Sequence, residues 1–400
     1  MLRIQTRTKP KILILSGYDA ASHRHWRNIL EKNLTEYDWT QIFLPDRHFY
    51  WRVRGSSLSF AFEYRDILNK HYDCLVVTSM VDLSTLRGFV PKLANIPTLV
   101  YFHENQFAYP SSNKGNTNNN LIHAQLTSIY SLLCADRILF NSEYNKRTFY
   151  DGANQLLNKM PDLVPKDLLL SAFEKSSVLP VPVENVFYSQ SRSNVVAMKD
   201  ANENVQILWN HRWEFDKQPK VFFDALSRLK NTGVRFELNI VGQSFRKIPE
   251  CFKAAKKEFE TEIVSWGFQQ RSDYLAILSR SDIVVSASLH DFQGLSMIEA
   301  IACGCAPVAP DRVAYPEYIK KEQLYSVGTF KNRDEQSHHH EVESLSSKLL
   351  ETINNLGVAS KLEYNTSSSE SSDKQTSNLE QYSEIFLKNI YREEIEKLLS

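Results

Sequence analysis

A histidine, two carboxylic acids and a glycine lie close together in the stretch HDFQGLSMIEA, residues 290–300. They are His290, Asp291, Gly294 and Glu299. The positions after Gly294 are apolar around nearly the whole circumference of a predicted helix, which leaves Glu299 inside an apolar run. A carboxylate buried in such a run is costly unless a partner binds it. The stretch is therefore either a capped helix with a buried salt bridge or a ligand site.

The residues around this stretch predict a strand, a turn and a helix, in the order DIVVSAS (282–288), HDFQG (290–294) and LSMIEAIAC (295–303). The backbone amides of Gly294, Leu295 and Ser296 would then be donors at a helix N-terminus, where a pyrophosphate is favoured. Gly294 permits a close approach because it has no Cβ. The carboxylates of Asp291 and Glu299 would accept hydrogen bonds from sugar and ribose hydroxyls.

Two cations lie in a second predicted strand-to-helix loop, WNHRWEFDKQP (209–219). Arg212 and Lys217 can both point into one crevice and neutralise the charge that develops on a leaving nucleoside diphosphate. The alternative is that both are solvated loop residues. No Asp-x-Asp pair occurs in the chain, so the simplest means of holding a divalent ion on a sugar nucleotide is missing and we expect metal-independent chemistry.

Cations and aromatic residues alternate in two N-terminal segments, SHRHWRN (22–28) and DRHFYWRVRGSS (46–57). Such mixtures suit single-stranded RNA, where bases stack on rings and phosphates meet guanidinium groups. The alternative is the surface of an amphipathic helix or strand. Because the chain carries 47 basic and 47 acidic residues, any anionic partner must be held by local patches such as these rather than by net charge.

The elements that must position these residues are short apolar strands separated by helical segments, typical of parallel sheets covered by helices. The predicted strands cover residues 11–17, 73–80, 97–103, 136–142, 205–212, 235–242, 261–267, 282–288 and 306–310. They form two series, so we predict an α/β protein with two Rossmann-like halves. The polar segment DEQSHHHE (334–341) is predicted to be a loop, with a weak metal-binding alternative for its three histidines.

The predicted organisation has five parts: an N-terminal domain (1–190), a linker (191–204), a C-terminal domain (205–360), a low-complexity segment (361–378) and an amphipathic helix (379–400). The chain has no G-x-G, P-loop or G-x-S-x-G motif, which argues against dehydrogenase, P-loop kinase and serine hydrolase functions. It has five cysteines and no apolar run of 18 residues. We therefore expect a cytoplasmic protein without a membrane partner.

Several segments carry a resemblance to known families. HRWEFDK (211–217) and HDFQGLSMIEA resemble the Arg…Lys and E-x7-E signatures of retaining GT-B glycosyltransferases of the family 4 type. More narrowly, the chain resembles the tRNA-queuosine α-mannosyltransferase family in LVVTSMVDL (75–83), YFHENQFAYP (101–110), ILFNSEYN (138–145), PDLVPKDL (161–168) and the tryptophan-containing RHFYWRVR (47–54). One departure is that the first acid of E-x7-E is Asp291, one methylene shorter than glutamate.

This resemblance implies two Rossmann-like domains facing a cleft, in the GT-B architecture. It implies an enzyme that moves mannose from GDP-mannose to the cyclopentenediol of queuosine in the tRNA-Asp anticodon, with retention of configuration. The partners would be tRNA and a sugar nucleotide, with no further cofactor. Since the motifs contain no unambiguous nucleophile, front-face attack assisted by the leaving diphosphate is favoured over a covalent intermediate. The sequence gives no indication of oligomeric state.

The resemblance also implies a role for each site residue. Arg212 and Lys217 would hold the donor diphosphate and Glu299 the ribose, while Asp291 and His290 would bind the donor sugar. His103 would face the transferred sugar and complete a catalytic set with Asp291, Arg212 and Lys217. Ser22 and His23 would line the acceptor side, together with Glu104 and Asn105 of the HENQ motif. Trp51, Arg52 and Arg54 are assigned to the acceptor from their residue types, as a surface for an anticodon loop.

Three other functions are compatible with the sequence. A retaining glycosyltransferase could act on a lipid or envelope saccharide, although no basic-apolar membrane helix is evident near the N-terminal acceptor residues. The change to Asp291 could mark a tRNA-binding protein with weakened catalysis. A sugar-nucleotide epimerase would share the two-half architecture and need no macromolecular acceptor.

Overall fold

The structure is a computed structural model that describes residues 8–108, 118–165, 167–189, 204–244, 248–329, 334–363 and 379–400. The chain divides into two compact units. Unit 1 comprises Met1–Pro182 and Glu384–Ser400, and unit 2 comprises Val183–Ser383. Most of the predicted linker and of the predicted low-complexity segment lies outside the described residues.

Unit 1 is built on a six-stranded parallel sheet in the order β2-β1-β3-β4-β5-β6. Its strands are β1 (Lys11–Ser16), β2 (Asp38–Phe43), β3 (Cys74–Thr78), β4 (Thr98–Phe102), β5 (Arg137–Phe140) and β6 (Ser176–Val178). Strands β3 and β4 are buried along their whole length, as expected of parallel strands covered by helices. The helices are α1 (Ala21–Asn33), α2 (Phe49–Glu63), α3 (Arg65–Leu68), α4 (Leu83–Phe89), α5 (Asn118–Leu133), α6 (Glu143–Asn158) and α7 (Asp167–Glu174).

Unit 2 has a second six-stranded parallel sheet, in the order β12-β11-β10-β7-β8-β9. Its strands are β7 (Val205–Trp209), β8 (Phe236–Val241), β9 (Ile263–Gly267), β10 (Ile283–Val285), β11 (Ala306–Pro310) and β12 (Leu324–Tyr325). Its helices are α8 (Asn185–Ser189), α9 (Pro219–Asn231), α10 (Cys251–Glu258), α11 (Arg271–Arg280), α12 (Leu295–Ala302) and α13 (Glu335–Glu363).

A last helix, α14 (Glu384–Leu399), returns to unit 1. Tyr391 accepts a hydrogen bond from the indole of Trp26 at 2.9 Å, and Glu394 pairs with Arg137 at 2.5 Å. The buried face of the amphipathic C-terminal helix therefore packs on α1 and on strands β3 and β4, and Arg137 of β5 pairs with it.

Strand order reverses once within each sheet, and open α/β sheets bind ligands beyond the carboxyl ends of the strands at such a point. In unit 1 the reversal lies between β1 and β3, and in unit 2 it lies between β7 and β10. The loops after β7 and β10 carry five of the predicted site residues: Arg212, Lys217, His290, Asp291 and Gly294.

The predicted α/β class and all nine predicted strands are confirmed. Three strands were not predicted: β2, β6 and β12. The predicted loop at residues 334–341 is wrong, because α13 begins at Glu335 and carries the histidines on a helix. His338 bonds Asp224 of α9 at 2.7 Å, so one polar residue of this segment has a partner distant in sequence.

Candidate functional site

The loops after β7 and β10 are joined by Lys217. Its ammonium donates to the His290 carbonyl at 2.6 Å and to Oδ2 of Asp291 at 3.3 Å, and its side chain is only 8% exposed. A backbone hydrogen bond from Leu289 to the carbonyl of Asp216 ties the same loops at 2.7 Å. The structure thus brings Lys217 into contact with His290 and Asp291, which lie more than seventy residues further along the chain.

Asp291 is fixed by three donors. Oδ1 accepts from the Gly294 amide at 2.8 Å, while Oδ2 accepts from Lys217 and from the Tyr315 hydroxyl at 3.1 Å. Burial alone would raise the pKa of this carboxyl, but the charge of Lys217 and the neighbouring His211 and His290 hold the pKa below its ordinary value. Asp291 is therefore ionised at neutral pH.

Gly294 has a different role from the predicted one. Its amide is engaged by Asp291, and its φ of 76° is in the left-handed region. A Cβ at this position would collide with the Tyr318 hydroxyl and the Tyr315 ring. Glycine is therefore required here by backbone conformation and by two tyrosines. Leu295 and Ser296 form the first turn of α12, as predicted.

Two buried histidines flank Lys217. His290 was predicted, whereas His211 was missed. Burial first, and then the charge of Lys217, lower the pKa of each to about 4, so both rings are neutral at pH 7. His211 Nε2 lies 3.2 Å from the carbonyl oxygen of Val285, which fixes the ring proton on that nitrogen. The site consequently holds one ammonium among neutral imidazoles.

Arg212 lies apart from this buried group. Its side chain is 48% exposed and pairs with Glu214 at 2.9 Å. It is close enough to contribute to the lowered pKa of His290, after burial, Lys217 and the acids. A half-exposed guanidinium of this kind can contact an incoming anion by exchanging Glu214 for the ligand.

Glu299 is 9% exposed and lies within α12, as predicted from its apolar neighbours. The Tyr274 hydroxyl of α11 donates to its Oε2 at 2.8 Å. Burial raises the pKa of Glu299 to about 7, against the opposing effect of this hydrogen bond. Glu299 therefore takes up a proton at a higher pH than an ordinary glutamate does.

In unit 1, His103 and His23 stack with ring centroids 3.9 Å apart. His103 directly follows β4 and is 5% exposed, and within the described residues neither of its ring nitrogens has a hydrogen-bond partner. Burial, followed by the neighbouring His23 and His25, holds the pKa of His103 well below its ordinary value. A neutral imidazole buried without partners is costly unless a ligand supplies them.

Glu104 organises the other side of this pair. Its Oε2 lies 2.9 Å from His23 Nε2, and its Oε1 accepts from the Ser79 hydroxyl at 2.7 Å. With Nε2 facing the carboxylate, His23 carries its proton there, and Nδ1 is an acceptor without a partner in the described ranges. Ser79, which follows β3 directly, was not predicted.

The other predicted acceptor residues differ in how they are placed. Asn105 is buried and turns the loop after β4, donating to Thr148 and accepting from the Phe107 amide at 2.8 Å each. Ser22 is half-buried in the first turn of α1. Arg52 is buried against the Pro45 carbonyl. Ser22 and Asn105 are thus close in sequence to the histidine pair, whereas Arg52 donates to the loop before α2.

The segment RHFYWRVR lies mostly on α2 and exposes Arg47, Tyr50, Trp51 and Arg54, whereas Arg52 is buried. Trp51 is 53% exposed, Tyr50 is more so, and the side chain of Arg54 is 55% exposed although it bonds Asp82 at 3.2 Å. The prediction that SHRHWR is a second exposed patch is wrong for most of its residues. Trp26 is stacked on Tyr101 in the core.

Arg27 shows why the predicted exposed patch at SHRHWR is largely buried. Its guanidinium is buried, bonds Asp19 and Gln41, and lies 3.9 Å from the centroid of the Phe43 ring. Arg24 is the exposed cation of the segment, and it pairs with Asp19 at 3.2 Å. Arg24 and Arg27 therefore stabilise the β1–α1 loop through Asp19.

Within the described residues, no cluster of three or more histidine, cysteine, aspartate or glutamate side chains is placed to hold a metal ion. None of the helices in the same ranges combines the length and apolar character that crossing a membrane requires.

Comparison with known proteins identifies relatives of both units. A family profile described as "tRNA-queuosine alpha-mannosyltransferase N-terminal" matches residues 11–183, and one described as "Glycosyl transferases group 1" matches residues 197–357. A curated tRNA-queuosine alpha-mannosyltransferase of Drosophila melanogaster is 35% identical over 322 residues, which is 80% of this chain and 84% of that protein.

Solved structures with the same fold are more distant in sequence. A glycosyltransferase from Rickettsia africae ESF-5 aligns with a TM-score of 0.64 at 15% identity, over 98% of this chain and 99% of that one. A sucrose-phosphate synthase from Thermosynechococcus elongatus gives 0.65 at 13% identity, over 98% and 99%. Anabaena Alr3699/HepE in complex with UDP gives 0.59 at 14%, over 97% and 100%. These neighbours establish the fold alone.

Proposed function

The chain belongs to the tRNA-queuosine alpha-mannosyltransferase family of glycosyltransferases, and from this premise we propose that it transfers mannose from GDP-mannose to queuosine in tRNA. The proposed acceptor is the cyclopentenediol of queuosine in the anticodon of tRNA-Asp. The anomeric configuration of the sugar is retained.

The Lys217–Asp291 pair is the strongest structural support for this proposal. It lies where the strand order reverses between β7 and β10. An ammonium held in a buried, preorganised position stabilises charge on a diphosphate far better than a solvated one does. We assign the diphosphate to Lys217 and Arg212, with the first turn of α12 at Leu295 and Ser296 beside them. Glu299 takes the ribose hydroxyls.

The donor sugar is assigned to Asp291 and His290 of unit 2. A carboxylate has about four lone-pair sites, and three of those on Asp291 are occupied by Gly294, Lys217 and Tyr315. One position thus remains for a sugar hydroxyl. In unit 1, the neutral His103 ring offers one donor and one acceptor nitrogen, which suits a hydroxyl group.

In the proposed step, the bond between mannose C1 and the β-phosphate oxygen breaks while the acceptor hydroxyl oxygen bonds to C1 on the same face. The hydroxyl proton passes to the departing phosphate oxygen, so no protein base is required. Negative charge accumulates on GDP as the sugar leaves, and Lys217 and Arg212 stabilise it. Asp291 keeps Lys217 in place throughout.

The acceptor is assigned to unit 1. Glu104 and His23 present acceptor groups to the queuosine diol, and Ser79 holds Glu104. Trp51, with its exposed ring, and Arg54 provide stacking and a phosphate contact for the anticodon loop.

We propose that transfer needs no metal ion and takes place in the cytoplasm. All five cysteines of the chain are free thiols, as in a reducing compartment. The expected outcome of adding EDTA to the transfer assay is an unchanged rate. An absolute requirement for a divalent cation would contradict the assignment of the diphosphate to side chains.

The direct test is to incubate the protein with queuosine-containing tRNA and a panel of sugar nucleotides, then digest the tRNA and analyse its nucleosides by mass spectrometry. We expect queuosine to gain one hexose only when GDP-mannose is present. Transcripts with guanosine in place of queuosine are the matched control and should gain nothing. Transfer to neither tRNA would overturn the proposal.

A further inference from the structure

A chain of hydrogen bonds in unit 2 runs through three side chains that lie on different elements. The side-chain amide nitrogen of Asn210, just after β7, donates to the Ser296 carbonyl at 2.8 Å and to the Tyr274 hydroxyl at 3.2 Å. The Tyr274 hydroxyl donates in turn to Glu299 at 2.8 Å. The chain connects the loop after β7 to α11 and α12.

The hydrogen bond from Tyr274 engages one carboxylate oxygen of Glu299, Oε2, and leaves the other oxygen available to a ligand. In the described part of the molecule, the bond from Tyr274 is the sole hydrogen bond that the Glu299 carboxylate receives. A buried carboxylate normally satisfies both oxygens. Because Tyr274 accepts from Asn210, its own proton can only be directed at Glu299, so the orientation of the bond is fixed.

The charged and titratable groups that face Glu299 come from three places. Arg271, on α11, lowers its pKa through charge, and Glu184, before α8, raises it. Cys303, at the end of α12, is itself affected by Glu299. Strands β10 and β11 pack on α12 without a titratable side chain, and Tyr188 of α8 points its hydroxyl at the Leu379 carbonyl. Arg271 also bonds Glu184 at 2.6 Å, which divides its charge between two acids.

We infer that Tyr274 is a positioning residue that holds Glu299 in the orientation and state that accept the ribose hydroxyls of the donor nucleotide. The inference rests on the proposed function for the role of Glu299 and extends it to a residue outside every motif. Asn210 supports Tyr274, since it leaves the phenol no other acceptor.

The physical consequence is a dependence of nucleotide binding on pH. Burial places the pKa of Glu299 at about 7, and the Tyr274 hydrogen bond opposes that rise. Below this pKa the carboxyl is protonated and loses acceptor capacity toward a diol. Removing the phenol raises the pKa further, so a larger fraction of Glu299 is protonated at neutral pH.

The test measures GDP binding by calorimetry between pH 6 and 9 for wild type, Tyr274→Phe and Glu299→Gln. We expect Tyr274→Phe to lose about five- to tenfold in affinity at pH 7 and to recover most of it at pH 9. Glu299→Gln should be weak at every pH. Titration of the GDP phosphate is common to all variants and cancels in the ratios to wild type.

The matched control is Tyr325→Phe, since Tyr325 is also buried and donates to a glutamate, Glu341, at 3.2 Å elsewhere in unit 2. It should bind GDP as wild type does at each pH. A ligand control is 2′-deoxy-GDP, whose affinity should respond less to Tyr274→Phe than that of GDP.

Failure of this inference can be separated from failure of the proposed function. An affinity loss in Tyr274→Phe that is absent, or equal at all pH values, overturns the positioning role. Because GDP binding requires no acceptor, a failure of transfer to tRNA leaves the result standing. If GDP does not bind but UDP binds with the expected pH dependence in Tyr274→Phe, then the assignment of guanine as the nucleobase is wrong and the role of Tyr274 holds. If neither nucleotide binds wild type, both proposals fall.

Discussion

The two candidate regions handle buried polar groups in opposite ways. In unit 2, Lys217, Asp291 and Gly294 satisfy one another, and a charged pair is fixed before any ligand arrives. In unit 1, His103 and His23 are stacked, burial keeps His103 neutral, and both nitrogens of His103 and Nδ1 of His23 have no partner in the described ranges. A preformed charged site suits an anion such as a diphosphate, whereas neutral donors and acceptors suit a ligand rich in hydroxyls.

The largest effect should come from breaking the charged side of this comparison. Lys217→Ala removes the buried counter-charge and leaves Asp291 ionised without its partner, so we expect kcat/KM for transfer to fall about 100- to 1,000-fold. Steady-state assays with GDP-mannose and tRNA measure it. Lys220→Ala is the control, because Lys220 is exposed and pairs only with Asp224 and His338 among the described residues. Activity within tenfold of wild type in Lys217→Ala would place the donor site elsewhere.

A smaller effect is expected from the RNA surface of unit 1. Trp51→Ala should weaken tRNA binding by about five- to 150-fold, the range for one stacked aromatic. Arg54→Ala should also flatten the dependence of tRNA affinity on salt. Filter binding at matched salt measures both. Phe268→Ala, at an exposed aromatic residue of unit 2, should leave tRNA affinity unchanged. Equal losses in all three variants would argue against a specific stacking surface.

His103→Gln sharpens the neutral side of the comparison. Glutamine keeps hydrogen-bonding groups but places them differently, so kcat/KM should fall about tenfold with tRNA binding intact. The exposed His71 provides the control His71→Gln, which should be neutral. If His103→Gln is as active as wild type, the unpartnered nitrogens do not contact substrate.

The smallest effect concerns stability against pH. Burial holds the pKa of His103 below its value in the unfolded chain. At acid pH this residue must therefore lose its proton when the protein folds. Its contribution to the free energy of unfolding is complete above about pH 6.5 and is lost as pH falls. We expect the fall in Tm between pH 7 and pH 5 to be about 2–4 °C smaller in His103→Gln. A fall equal to that of wild type would show that His103 does not titrate on unfolding.

The sequence predicts strands and site residues well where the local residue type alone determines them. Continuous apolar runs identified the buried strands, but β2 is a partly exposed edge strand, and β6 and β12 have three and two residues. Lys217 was identified because a diphosphate requires a cation, and Asp291 because a carboxylate accepts hydrogen bonds from sugar hydroxyls.

The remaining site residues depend on contacts between distant parts of the chain. Tyr274 and Ser79 act on acids 25 residues away, and no local pattern marks them. Arg27 was taken for an exposed cation because its partners on the β1–α1 loop and β2 are set by the fold. The histidines of α13 were assigned to a loop from their polarity, although the helix continues through them.

The measurement that tests the division of labour most directly is a pair of binding constants, one for GDP-mannose and one for queuosine-containing tRNA, in Lys217→Ala and Trp51→Ala. Lys217→Ala should lose GDP-mannose binding and retain tRNA binding, and Trp51→Ala should do the reverse. If each variant loses both ligands to the same extent while its Tm equals that of wild type, the assignment of donor to unit 2 and acceptor to unit 1 is contradicted.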